Sequence, residues 1–245
     1  MIISSKANPI IKKTKKLLQK KHRKNSYLIE GWHLFEEAQK SKQPILSVFL
    51  TEELENFKDS ECPIYIVTPE VLKELTESPS PQGIVAEIAM PDSPLPLSQK
   101  GKYLLLEDVQ DPGNLGTMIR TADAACFDGV ILSEKTVDLY NQKTLRSMQG
   151  SHFHLPVWRT DVYSFCQTIQ SNGVPVLATT LSKDSIDYKA LPQNDSFVLV
   201  MGNEGRGISD EMAALANQLV HINMPGQAES LNVAVAAGIL IFSLI

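Results

Sequence analysis

Hydrophobic and polar positions follow two rhythms along the 245 residues. Near the start, Ile10, Ile11, Thr14, Leu17 and Leu18 recur at helical spacing among lysines, which predicts a basic amphipathic helix. Residues 30–40 (EGWHLFEEAQK) predict a second helix with Leu34, Phe35 and Ala38 inward, and Glu30 and Gly31 at its start. The runs ILSVFL (45–50), PIYIVT (63–68) and GIVAEI (83–88) read as strands, and PEVLKELTE (69–77) as a short helix opened by proline. In the second part the alternation is clearer. Strands are expected at 103–107, 129–133, 174–179, 197–201 and 219–223, and helices at 113–126, 143–149, 161–171, 208–217 and 231–244. Apolar strands separated by amphipathic helices predict a mainly parallel α/β sheet covered on both faces.

Between these parts, MPDSPLPLSQKG supplies three prolines within six residues, which favours extended geometry and a linker near residues 91–101. The reading is therefore two domains, 1–95 and 101–245, each with its own core.

Net charge is only -5, but its distribution is polarised. Residues 1–42 carry eleven Lys or Arg against three Glu, and no acidic residue precedes Glu30. A basic front on an acidic body suits a polyanionic partner. No apolar run reaches the ~20 residues of a membrane span. The basic N-terminus lacks the apolar stretch of a signal peptide. Cys62, Cys126 and Cys166 are isolated thiols, so a cytoplasmic protein without structural disulfides is expected. The five histidines are scattered and form no metal-binding motif, so no metal is expected; His152 and His154 read as surface or RNA-facing.

Three polar segments follow predicted strands, where open α/β sheets place their ligands. In EDVQDPGNLGTMIR (107–120), Asn114 is placed to cap a helix that carries Arg120 about two turns on. That arginine would meet either a surface carboxylate or a phosphate or activated hydroxyl. In GNEGRG (202–207) three glycines imply close approach by backbone or ligand, without the dinucleotide or P-loop order, and Glu204 is either exposed or an acceptor for a ribose or base. In HINMPGQAESLNVAVAAG (221–238), Ser230 is a natural N-cap, and Asn232 lies on the first turn of a small-residue helix.

The segments NLGTMIRTADAACF (114–127), VLVMGNEGRGIS (198–209) and INMPGQAESLNVAVAAGI (222–239) resemble, in order and spacing, the three signature motifs of the SpoU (TrmH-like) RNA ribose methyltransferases of the SPOUT superfamily. LRSMQGSHFHLPVW (145–158) is similar to that family's Ser/Gly-rich loop. YLIEGWHLFEEA and SPSPQGIVA are similar to its N-terminal substrate-binding domain, which has a ribosomal-protein-like fold. The family's motif commonly reads SLNVSVA where this chain has SLNVAVA, with Ala234.

The resemblance implies a C-terminal trefoil-knotted domain, a homodimer, and S-adenosylmethionine (AdoMet) as methyl donor for a ribose 2′-hydroxyl of RNA. Ribosomal RNA is the leading substrate; a tRNA enzyme or a catalytically silent RNA-binding paralogue are the alternatives. Carried over position by position, it assigns Asn114, Arg120, Glu204, Ser230 and Asn232 to catalysis. It assigns Thr179, Gly202, Glu204, Ile222, Met224 and Leu231 to the cofactor. RNA contacts fall to Lys12, Lys13, Lys16, Lys20, Lys21 and Arg23 of the basic front and to Arg146 of the Ser/Gly-rich loop.

Overall fold

A computed structural model describes residues 2–52, 62–97 and 100–245. The chain divides into two compact units. The first holds the chain up to Asp92 together with Asp138–Phe153; the second holds Ser93–Val137 and His154–Ile245.

The first unit is built on a five-stranded mixed sheet of β1 (Ile2–Ile3), β2 (Ser26–Glu30), β3 (Ile45–Leu50), β4 (Ile64–Val67) and β5 (Ile84–Ala89), in the order β1-β4-β3-β5-β2. β1, β4 and β3 run parallel, while β5 is antiparallel to both β3 and β2. Helix α1 (Pro9–Lys15) starts cleanly because Asn8 accepts from the Ile10 N–H and Pro9 occupies the first turn. It is shorter than the pattern predicts: Lys16–Leu18 tighten into a 3₁₀ turn, and Ile10 is exposed. Ile11, Leu28, Phe49, Val67, Leu72 and Val85 form the core.

Strand β2 is missing from the sequence reading. Four of its five residues are buried, so it shows no in-out alternation, and only a single glycine separates it from the next helix. Glu30 ends β2 instead of starting a helix. Gly31, at φ +97°, makes the corner into α2 (Trp32–Lys40). Helix α3 (Pro69–Leu72) and a 3₁₀ turn at Lys73–Leu75 stop short of residue 77. There Thr76 turns extended and its hydroxyl donates to Glu30 over 2.6 Å.

Asp138–Phe153, read from the sequence as part of the second half, packs with the first unit. Its helix is α5 (Gln142–Met148). Asp138 ion-pairs with Arg23, whose side chain is 4% exposed. The Tyr140 ring lies 4.3 Å from that of Tyr27, centroid to centroid. The side-chain oxygen of buried Gln142 accepts from the Glu77 N–H (2.6 Å).

The second unit is a seven-stranded, wholly parallel sheet: β6 (Lys102–Leu106), β7 (Gly129–Leu132), β8 (Val157–Arg159), β9 (Val176–Thr179), β10 (Ile186–Asp187), β11 (Phe197–Met201) and β12 (Gln218–His221). The order is β10-β12-β9-β11-β6-β7-β8. The two strands the sequence did not announce, β8 and β10, are three and two residues long and lie at the edges, too short for any periodicity. Helices α4 (Pro112–Ala124), α6 (Val162–Ser171), α7 (Asp210–Leu215) and α8 (Val233–Ser243) complete it. Every residue of β11 is buried, and Tyr103, Phe165, Val176, Val198 and Met212 belong to one core cluster. The strand order brings the carboxyl ends of β12, β9, β11 and β6 side by side.

Candidate active site

Three loops meet at that row of strand ends, and each is shaped by its own hydrogen bonds. After β6, Glu107 is buried and accepts from the Tyr163 hydroxyl (2.7 Å), the Ser209 N–H (2.9 Å) and the Ser209 hydroxyl (2.7 Å). Asp108 takes a left-handed φ of +57°, and its carbonyl accepts from Asn203 Nδ2 over 2.8 Å. Asp111, not Asn114, caps α4: its Oδ1 accepts from the Asn114 N–H. The Asn114 side chain is thereby released for other contacts.

After β11 the glycine loop closes on itself. Asn203 and Gly207 exchange both backbone hydrogen bonds at 2.9 Å. A Cβ on Gly202 would lie 2.1 Å from the Gly207 carbonyl carbon, so the close approach inferred from sequence is made by the loop's own backbone. Asn203 Oδ1 accepts from the N–H groups of Gly205 and Arg206.

Glu204 reaches back to the start of α4. Its carboxylate accepts from the Gln110 N–H (3.0 Å), the Asp111 N–H (2.9 Å) and Asn114 Nδ2 (3.2 Å). Burial pushes its pKa up, but the N–H groups of Asp111 and Gln110 and the Asn114 amide outweigh this and hold it below the usual value. Its carboxylate is thus engaged by backbone and by Asn114.

After β12, Asn232 caps α8, accepting from the N–H groups of Ala234 and Val235, while its Nδ2 donates to Asn114 Oδ1 over 3.0 Å. Ser230, the N-cap expected from sequence, is exposed two residues earlier. Ala234, in the first turn of α8, is buried.

Between the loops lies a cavity of about 410 Å³. Thr179, Gly202, Glu204, Ile222, Met224 and Leu231, the six residues assigned to the cofactor, all line it, as does Ser230. Thr180, Leu181, Ile208 and His221, with Ala236 and Leu240 of α8, were not anticipated. Their positions just past the strands and on the small-residue helix were the available signal. Asn114, Arg120 and Asn232 lie outside the lining; the two asparagines join it through Glu204. Arg120 is exposed and makes no side-chain hydrogen bond or ion pair among the described residues. The self-closed glycine turn, apolar walls and strand-end backbone groups fit a nucleoside joined to an amino-acid chain. Among the described residues no three His, Cys, Asp or Glu side chains group as a metal site, and no helix is long and apolar enough to cross a membrane.

The basic front divides on inspection. Lys12, Lys13, Lys16, Lys20 and Lys21 are exposed and make no ion pair among the described residues. Lys15 and Lys6 both pair with Glu74, whose pKa they pull down to about 2. Arg23 is a correction to the sequence reading: paired with Asp138 and almost wholly buried, it cannot present its guanidinium to RNA. Arg146 is 43% exposed, with its Nη1 3.8 Å from the Glu30 carboxylate, and retains a solvent-facing side. His152 is also corrected: it is half-buried, with Nε2 3.0 Å from the Tyr27 hydroxyl. His154 is exposed and pairs with Asp123 at 3.2 Å.

Residues 101–242 match the model of the SpoU rRNA Methylase family, and residues 8–86 that of the MRM3-like substrate binding domain. The 23S rRNA (guanosine(2553)-2′-O)-methyltransferase RlmP of Bacillus subtilis (strain 168) is 44% identical over 246 residues, covering 99% of this chain and 98% of the relative. An AdoMet-bound rRNA methyltransferase from Sinorhizobium meliloti superposes with a TM-score of 0.89 at 35% identity, over 100% of this chain and 97% of that one. The SpoU methyltransferase AviRb from Streptomyces viridochromogenes, in complex with AdoMet, gives a TM-score of 0.86 at 26% identity, with 97% of each chain covered.

Proposed function

The chain belongs to the SpoU rRNA methylase family, and from that premise we propose that it methylates the ribose 2′-hydroxyl of a guanosine in 23S ribosomal RNA. It is an AdoMet-dependent enzyme of the RNA 2′-O-ribose methyltransferase class, with a SPOUT-type parallel sheet and a small substrate-binding domain. The choice of guanosine and of 23S RNA rests on the relative that matches across the whole chain.

One observation carries the site assignment: the cavity that fits the donor and the helix that bears Arg120 are joined by Glu204. AdoMet supplies a methyl group already activated on a sulfonium. The protein's part is to hold the ribose hydroxyl in line with it and to stabilise the charge that develops on oxygen. Arg120, exposed on α4, is the donor suited to that oxygen and to the neighbouring phosphate. Because a guanidinium only donates hydrogen bonds, Arg120 is suited to be an electrostatic stabiliser rather than a general base. Glu204, Asn114 and Asn232 act as positioning residues, because their polar atoms are engaged with one another and with backbone. Ser230 at the cavity wall is placed to touch donor or acceptor. No metal enters this scheme.

A homodimer is part of the same reading. Helix α8 (VAVAAGILIFS) carries no charge, yet Val235 and Phe242 are each 54% exposed, an apolar surface suited to a second copy. The knotted path is supported by the strand order and by the packing of α8 on α4 and β11. We place the protein in the cytoplasm, where ribosomal RNA is found.

The test is a map of 2′-O-methylation over ribosomal and transfer RNA from cells with and without the gene. Loss of one guanosine methylation in 23S RNA is expected. Loss confined to tRNA would move the substrate assignment, and no loss anywhere would favour the silent paralogue.

A further inference from the structure

The fold uses its five arginines unequally. Arg23 is buried against Asp138, and Arg146 faces the Glu30 carboxylate. Arg159 donates to the carbonyls of Ser133, Glu134, Thr136 and Val137 at 2.6–3.0 Å. Only Arg120 and Arg206 are exposed with no side-chain hydrogen bond or ion pair among the described residues. These two sit on the elements that Glu204 ties together: Arg206 lies two residues beyond Glu204, and Arg120 lies on the helix whose first residues Glu204 binds.

The backbone of Arg206 is held firmly. Its N–H donates to Asn203 Oδ1 over 3.1 Å, inside the loop closed by the paired Asn203 and Gly207. Arg206 is one of the residues lining the proposed donor cavity. The other carboxylate or guanidinium at that wall belongs to Glu204, which is already satisfied by backbone and Asn114. A guanidinium beside a positively charged sulfonium is favourable only if it faces an anion. An RNA acceptor brings one, since a phosphate adjoins every 2′-hydroxyl, and a planar fork suits it.

We infer that Arg206 is an RNA-binding residue that holds the phosphate next to the acceptor ribose, working alongside Arg120 from the opposite element of the Glu204 tie. This rests on the methyl-transfer reading of the cavity. The carboxylate of the donor is the competing anion; the exposure of Arg206 favours the RNA side.

The experiment compares the full-length wild type with Arg206→Ala and Arg206→Lys by three measurements. They are AdoMet affinity by calorimetry, binding of protein-free 23S RNA across a salt series, and steady-state methyl transfer to that RNA. Arg206→Ala should weaken RNA binding about tenfold and lower the salt slope by about one, the signature of one lost phosphate contact. The KM for RNA should rise, while AdoMet affinity and kcat stay within about threefold, and Arg206→Lys should recover part of the loss because it keeps the charge. Unchanged RNA affinity and salt slope would overturn the inference. So would weaker AdoMet binding with RNA binding intact, which would assign Arg206 to the donor carboxylate. If the wild type transfers no methyl group to this RNA, the proposed function fails on its own, and the binding comparison still decides Arg206.

Discussion

Asn232 donates from Nδ2 to Oδ1 of Asn114 over 3.0 Å, joining the first residues of two helices that are 118 positions apart in the chain. The orientation of both amides follows from the cap. Asn232 Oδ1 accepts from Ala234 and Val235, so its nitrogen faces Asn114. The Asn114 oxygen must then face Asn232, leaving its own nitrogen for Glu204. One helix cap thus sets the direction of a polar relay that ends on the glycine loop after β11.

Substituting Asn232 separates the two jobs. Asn232→Ala removes cap and relay and should destabilise the protein by about 1 kcal/mol. Asn232→Asp keeps an acceptor for the helix N–H groups but sets a carboxylate oxygen against the Asn114 oxygen. It should unfold near the wild-type midpoint yet methylate RNA much more slowly. Denaturant melts paired with single-turnover rates check this, and full activity in Asn232→Asp would show that the relay does not matter.

Glu204 predicts an acid limit. Its folded pKa lies below the unfolded value, so its contribution is present above the unfolded carboxylate pKa of about 4.3 and is lost as pH falls through the folded one. AdoMet affinity, followed by calorimetry, should therefore be flat with respect to this group at neutral pH and fall only once the pH drops below the ordinary carboxylate range. Glu204→Gln should bind AdoMet more weakly at neutral pH and lose the acid-dependent step. A variant with wild-type affinity would mean that the loop holds its shape without the Glu204 tie.

What sequence can and cannot reveal divides along these lines. The glycine segment 202–207 was legible because it follows a wholly buried strand, whereas Thr179 came only from the family resemblance, carried over by position. Which atom contacts which was not legible: Asn114 and Ser230 both look like helix caps, but Asp111 and Asn232 take those places because they stand at the actual helix boundaries. Likewise, Arg23 looks like another residue of the basic front. Its partner Asp138 lies 115 positions away, beyond any local pattern.

Arg23 therefore predicts a fold defect rather than an RNA defect. Arg23→Ala would leave Asp138 without its guanidinium in a largely dry site and should destabilise the protein by about 3 kcal/mol. Below its melting point the variant should keep the RNA affinity and salt slope of the wild type. Lys20→Ala, at an exposed position, should show the reverse: near-native stability and a shallower slope. Loss of RNA affinity in fully folded Arg23→Ala would restore it to the RNA-binding set.

The division into units changes how the chain should be cut. Starting the protein near residue 98 would remove Tyr27 and Arg23 while keeping their partners Tyr140 and Asp138, and would expose Leu145 and Met148, now buried. Such a fragment should aggregate or melt early. The same fragment with residues 138–153 replaced by a short flexible linker should stay soluble and bind AdoMet. Light scattering and calorimetry compare the two, and equal behaviour would show that this segment finds other cover.

Arg120 carries the most direct test of mechanism. It lies outside the cavity lining and makes no side-chain hydrogen bond or ion pair among the described residues, so removing it should disturb neither fold nor donor binding. If it stabilises charge on the acceptor oxygen, Arg120→Ala should lower methyl transfer by ~10²-fold or more, the scale of one lost transition-state donor. Arg120→Lys should recover little, because an ammonium cannot reproduce the bidentate fork. A solvated surface arginine would instead leave the rate unchanged, with a stability effect of only ~0–1 kcal/mol. Single-turnover rates at saturating RNA and AdoMet distinguish these, since both binding steps are then removed from the measurement. A variant keeping more than about half the wild-type rate would exclude Arg120 from the chemical step and turn attention to Ser230, the exposed hydroxyl on the cavity wall.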